Sequence, residues 1–94
     1  MDIAAFRATL AEVAPPTGLS LAAQALWWDA RGDWKKAHEC AQAQDDAAGA
    51  AVHAYLHRVE GDLANAGYWY RRAGRTVRTD ALAEEWQALV AEFS

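Results

Sequence analysis

The chain has one cysteine, two prolines and six glycines in 94 residues, and each scarcity narrows what it can be. Cys40 alone cannot close a disulfide within the chain, so the bridged scaffold of small secreted domains is excluded. Pro15 and Pro16 are adjacent, which leaves the rest of the chain free of the residue that breaks helices. Long apolar runs are missing as well. The longest uncharged stretch, VAPPTGLSLAAQALWW, is interrupted by Pro15, Pro16 and Gly18 and is too short to cross a bilayer, so no membrane segment is expected. The opening MDIAAFRATL carries neither a basic start nor an unbroken apolar core, which argues against a secretory signal and for a cytoplasmic protein. Basic charge is in short supply: nine Lys and Arg stand against thirteen Asp and Glu, for a net charge of −4. That balance, with a pI near 5.2, counts against a general nucleic-acid binder, which normally presents a basic domain.

What the chain has in abundance is alanine, 24 of 94 residues. Alanine has the highest intrinsic helix propensity, so the composition predicts an all-α protein. A chain of this length supports one core, and residues 1–94 read as a single domain. Small side chains let helix axes approach closely. The large residues, five tryptophans among them, must then supply much of the core volume.

Periodicity and punctuation predict six helices and no strand. Ile3, Phe6, Leu10 and Val13 recur at helical spacing over 2–13, and PPTG stops that helix. A second helix runs from near Ser20 to Arg31, where Gly32 ends it, and Asp33 caps a third, WKKAHECAQAQ. Asp45 and Asp46 suit the start of a fourth, which continues through Val52, Tyr55, Leu56 and Val59. Gly61 and Asp62 repeat the Gly-Asp turn, the fifth helix carries LANAGYWYRRA, and Gly74 ends it. Asp80 opens the sixth, with Glu84 and Glu85 in its first turn and a stripe of Leu82, Trp86, Leu89, Val90 and Phe93. Gly67, inside the fifth helix, predicts a close helix crossing.

Sliding the chain against itself by 29 residues aligns ALWWDARGDWKKAHECA with AYLHRVEGDLANAGYWY. Ala25, Gly32, Asp33 and Ala37 meet Ala54, Gly61, Asp62 and Ala66, so the duplicated unit is a helical hairpin with a tight turn. The second copy, with Gly-Asp at the turn and then Ala66, Tyr70 and Ala73, resembles the second half of a tetratricopeptide repeat. The resemblance covers roughly residues 20–75 and implies two antiparallel hairpins, about 20–44 and 46–74, flanked by N- and C-terminal covering helices. The sequence departs from that family's pattern in its short repeat, 29 residues against the usual 34, and in His53 and His57, where leucine and tyrosine are commoner. HAYLHRVEGDLANAGYWYRRAGR is also similar to a signature of small uncharacterised bacterial proteins, which brings no activity with it.

That string holds two candidate sites. His53 and His57 are four apart on one helix and Glu60 is three further, so all three project from one side, a spacing that can chelate a metal. The alternative is that both rings flank the apolar stripe of Val52, Leu56 and Val59 and bond to neighbouring helices. No HExxH motif or Cys/His cluster accompanies them, and no cofactor is expected. Tyr68, Arg71, Arg72 and Arg75 fall together on the wheel, opposite Leu63, Ala66, Tyr70 and Ala73, and predict an exposed face suited to carboxylate or phosphate. With Arg58 and Arg78, residues 50–79 carry five arginines against Glu60 and Asp62, a local +3, while 1–49 sum to −3 and 80–94 to −4. Either Arg71, Arg72 or Arg75 pairs with Glu84, Glu85 or Glu92 of the last helix or stays solvated, or the face receives an acidic protein, a second copy in a homodimer, or a phosphate-bearing ligand. Trp28, aligned with His57, is a further interface candidate.

Catalytic signatures are missing. Cys40 and His38 are two apart and point in different directions on a helix, Asp45 and Asp46 read as helix-start residues, and the glycines form turns rather than a phosphate loop. The expectation is a non-catalytic protein-protein interaction module acting through Tyr68, Arg71, Arg72, Arg75, Arg58 and Trp28. The alternative is a metal-binding protein or small enzyme using His53, His57 and Glu60.

Overall fold

Short acceptor side chains decide where most of the helices start. In the computed structural model, which describes residues 1–94, the chain forms α1 (Ile3–Thr9), α2 (Leu21–Ala30), α3 (Trp34–Ala43), α4 (Ala47–Val59), α5 (Leu63–Arg72) and α6 (Leu82–Phe93), with no strand. Asp2, Ser20, Asp33, Asp46 and Asp62 each accept from the backbone N–H three residues on, satisfying an amide that the helix itself leaves free. Asp80 does not do this for α6. That helix begins after Ala81 without a side-chain cap, because Asp80 turns its carboxylate to Arg78 (Nε to Oδ1, 3.0 Å) and its carbonyl accepts from Arg58.

The duplication survives in backbone geometry. At the α2–α3 turn Gly32 has φ +80° and Asp33 N–H donates to the Trp28 carbonyl at 2.9 Å; 29 residues on, Gly61 has φ +85° and Asp62 N–H donates to the His57 carbonyl at 2.9 Å. Both turns are Schellman ends, and the glycine is required because a Cβ is strained at that positive φ. Each turn folds its two helices into a hairpin. α4 lies at the centre, against α2, α3, α5 and α6, while α1 packs on α6.

The main core joins Phe6, Leu26, Trp27, Val52, Leu56, Leu89 and Val90, with Ala22, Ala25, Ala37, Ala41 and Ala51 where helices approach. Burying each of the larger side chains stabilises the fold by about 1.5–3 kcal/mol. Three of the packed indoles are also hydrogen-bonded. Trp27 Nε1 donates to Thr9 Oγ1 at 3.1 Å, Trp34 Nε1 to the Leu56 carbonyl at 2.8 Å and Trp86 Nε1 to the Leu26 carbonyl at 3.0 Å.

Three further sequence expectations change. α1 stops at Thr9 rather than Val13, and Val13 is 90% exposed; the Arg31 guanidinium takes up the Leu10 and Glu12 carbonyls, each at 2.7 Å, so the chain leaves the helix without orphaning them. Leu63 is 68% exposed rather than part of the core stripe of α5. Gly67 marks no close crossing: a Cβ there would meet only the tip of Arg71, at 3.5 Å. The close approach is at Gly49, where a Cβ would lie 1.9 Å from the Gln44 carbonyl oxygen.

Candidate functional site

The α3–α4 contact gathers all three histidines of the chain. His53 and His57, one turn apart on α4, are buried, at 3% and 6% exposure, and His38 of α3 enters beside them half-buried. His38 Nε2 and His53 Nε2 are 2.9 Å apart, so one proton is shared between them. His57 Nδ1 lies 2.6 Å from Glu60 Oε1. Glu60, as the helix C-cap of α4, reaches back over the last turn to hold that ring.

Aromatic rings wall the cluster on two sides. Trp34 stacks on His38 with centroids 4.8 Å apart, one helical turn away on the same face of α3, and Trp69 of α5 stacks on His53 at 3.8 Å. The Arg72 guanidinium lies over Trp69 at 5.2 Å. The His53 ring is pushed down to a pKa of about 4, first by burial and then by His38 and His57. His38 is lowered for the same reasons, burial foremost. His53 is therefore a neutral imidazole near pH 7, and the shift at His38 favours its neutral form in the same direction.

A pocket of about 220 Å³ opens beside it, at the junction of α3, α4 and α5; Gln42, Gln44, Asp45 and Asp46 form its polar rim, and His53, Trp69 and Arg72 line its wall. Asp46 is spent on the Gly49 amide at 2.8 Å and on the Gln44 side chain at 3.1 Å, which hold its carboxyl below the usual range.

The six residues expected at the docking face separate. Tyr68, Arg71 and Arg72 are exposed on α5, and Arg72 donates to Tyr68 Oη at 3.1 Å with its guanidinium 5.9 Å from the Tyr68 ring centre. Arg75 is half-buried, bonded to Glu92 and lying over the Phe93 ring at 5.3 Å. Arg58 points inward. Its side chain is 13% exposed and donates to Glu85 Oε1 at 2.9 Å, and Tyr70 Oη donates to the same carboxylate at 2.7 Å. Trp28 is half-buried against Trp27 at 4.9 Å, with the Lys36 ammonium 4.3 Å from its ring centre. Of the metal alternative, the structure brings His53 and His57 together but places Glu60 on the outer nitrogen of His57.

His38 is the residue that sequence reasoning missed. It falls outside the HxxxH pair, and in the aligned copies it meets Gly67. The available signal was its spacing of four from Trp34, which puts both on the face of α3 that a hairpin stack turns toward α4. No family model matches the chain, and comparison with curated proteins and with solved structures likewise finds no match.

Proposed function

We propose that the chain is a non-catalytic interaction module of tetratricopeptide-like hairpins, which receives an acidic peptide segment on the ridge formed by Tyr68, Arg71 and Arg72. The observation that carries this reading is the state of Arg72. Its guanidinium is held over Tyr68 and Trp69 and tied to the Tyr68 hydroxyl, yet its nearest carboxylate, Asp45, is 3.9 Å away and itself 97% exposed. A guanidinium ordered on aromatic faces loses less freedom when a carboxylate arrives, which favours affinity. Arg71 adds a second exposed positive charge one residue away, and the adjoining pocket offers Gln42 as a hydrogen-bonding partner for a peptide backbone.

Arg75 and Arg58 have acidic partners within the chain and contribute shape rather than free charge. The test is fluorescence anisotropy with a labelled oligoglutamate peptide. Arg71→Glu with Arg72→Glu should weaken binding by at least about tenfold, because a rim charge is reversed at two adjacent positions. Arg75→Glu, which removes a contact to Glu92 instead, should leave binding within about threefold. Equal binding by the double variant and the wild type would refute the docking site.

A further inference from the structure

We infer that His38, His53 and His57 form a site for a divalent transition-metal ion, zinc in the first place, with Glu60 as the carboxylate that orients His57. The donor set is chemically suited to it. Three imidazoles without a thiolate are the ligands of borderline ions such as zinc, nickel and copper, and calcium or magnesium would require oxygen donors instead. One nitrogen from each of the three rings already lies within 4.8 Å of the others.

Zinc–nitrogen bonds of about 2.0–2.1 Å at a tetrahedral ion place its ligand nitrogens about 3.3 Å apart. The His38–His53 pair at 2.9 Å must open by a few tenths of an ångström, and His57 must close in, shifts that rotation about side-chain bonds supplies without moving the helices. The ion takes the place of the proton now shared by His38 and His53. The ring that carried it changes tautomer and stays neutral.

Glu60 supplies what an isolated imidazole cluster lacks. By accepting from His57 Nδ1 at 2.6 Å it fixes the N–H on that nitrogen and leaves the Nε2 lone pair free for an ion, the carboxylate–histidine arrangement that raises ligand basicity in metal sites. Trp34 and Trp69, stacked on His38 and His53, hold the remaining two rings in orientation. Solvent reaches the cluster at the half-buried His38, and the neighbouring pocket touches it at His53.

A second set of donors, His57, Glu60 and Asp62, also lies within 4.8 Å. It combines His57 with the exposed Glu60 and Asp62. The two sets are distinguished by His38, which belongs only to the buried one.

The test uses the full chain freed of metal with chelator, titrated calorimetrically with zinc chloride and, separately, followed in the visible region with cobalt. One zinc per chain, a raised melting temperature and the intense cobalt absorption of a tetrahedral site are expected. His38→Ala should weaken zinc binding more than about a hundredfold and Glu60→Gln about 10- to 100-fold. Imidazole nitrogen NMR of the folded wild type, which depends on no variant, should show three resonances shifted by metal. Absence of stoichiometric binding, fewer than three shifted imidazoles, or wild-type affinity in folded His38→Ala would overturn the site.

Discussion

Glu85 is the residue on which the α4–α5–α6 junction turns. It is 1% exposed, and its carboxylate accepts from Arg58 at 2.9 Å and from Tyr70 at 2.9 and 2.7 Å. A buried carboxylate is tolerated only with such partners, and removing it would strand Arg58. Glu85→Ala should therefore lower unfolding free energy by about 3–5 kcal/mol, and Tyr70→Phe, which removes one donor, by about 1–2 kcal/mol, both read from urea titrations. Wild-type stability in Glu85→Ala would contradict the network. This part of the molecule was half legible: charge counting offers Arg71, Arg72 or Arg75 as partners of Glu84, Glu85 or Glu92, and Arg75 does bond Glu92, but the arginine that turns inward to Glu85 is Arg58, expected on the docking face. Arg58 sits on α4 beyond the Leu56 contact, and only the crossing with α6 decides its direction.

Among the elements, the hairpin turns were the most legible feature, because Gly-Asp at the same offset specifies both the positive φ and the cap chemically. Gly67 and Gly49 were not. A helical glycine reads the same in sequence whether a neighbour crowds it or not. Gly67→Ala should raise stability by up to about 1 kcal/mol, as helix propensity gains without a clash, whereas Gly49→Ala should destabilise the chain by more than that, since its Cβ would collide with the Gln44 carbonyl. Thermal melts of the two variants moving in the same direction would refute this assignment.

The α3–α4 contact also makes a pH prediction for the metal-free protein. His53 faces His38 across the contact, His57 on its own helix and Trp69 of α5 with Arg72 above it, while Glu60 and Glu39 act on His38 from the acidic side. Its pKa falls from 6.5 to about 4 on folding, so between those values the unfolded chain binds more protons and stability rises with pH. The contribution is complete above about pH 6.5 and is lost on acidification at up to about 1.4 kcal/mol per pH unit for one proton. His38 adds in the same direction. Denaturation midpoints that stay flat from neutral pH to pH 5 would contradict the buried, neutral His53. The HxxxH pair was visible in the sequence; its third member was not, because contacts between consecutive hairpins have no local signature.

At the scale of the whole molecule, the fold answers most of its own charge pattern. The basic stretch 50–79 and the acidic 80–94 meet where Arg58 bonds Glu85, Arg75 bonds Glu92 and Arg78 bonds Asp80. What is left unpaired of the arginine cluster is Arg71, with Arg72 only loosely near Asp45. No helix is long and apolar enough to cross a membrane. The all-α architecture was legible from alanine content and periodicity. The ridge of Tyr68, Arg71 and Arg72 was legible as well, but the pocket beside it was not, because it assembles Asp45 of the α3–α4 link, His53 of α4 and Arg72 of α5, and long-range assembly of that kind is set by helix crossings rather than by any local motif.

The most direct measurement is a backbone amide NMR titration of the metal-free chain with the oligoglutamate peptide. Shift changes confined to 42–50 and 68–72, with α1 and α6 unaffected, are the result expected from the α3–α4–α5 junction as the recognition surface. Changes centred on α1 or α6, or none at saturating peptide, would contradict it.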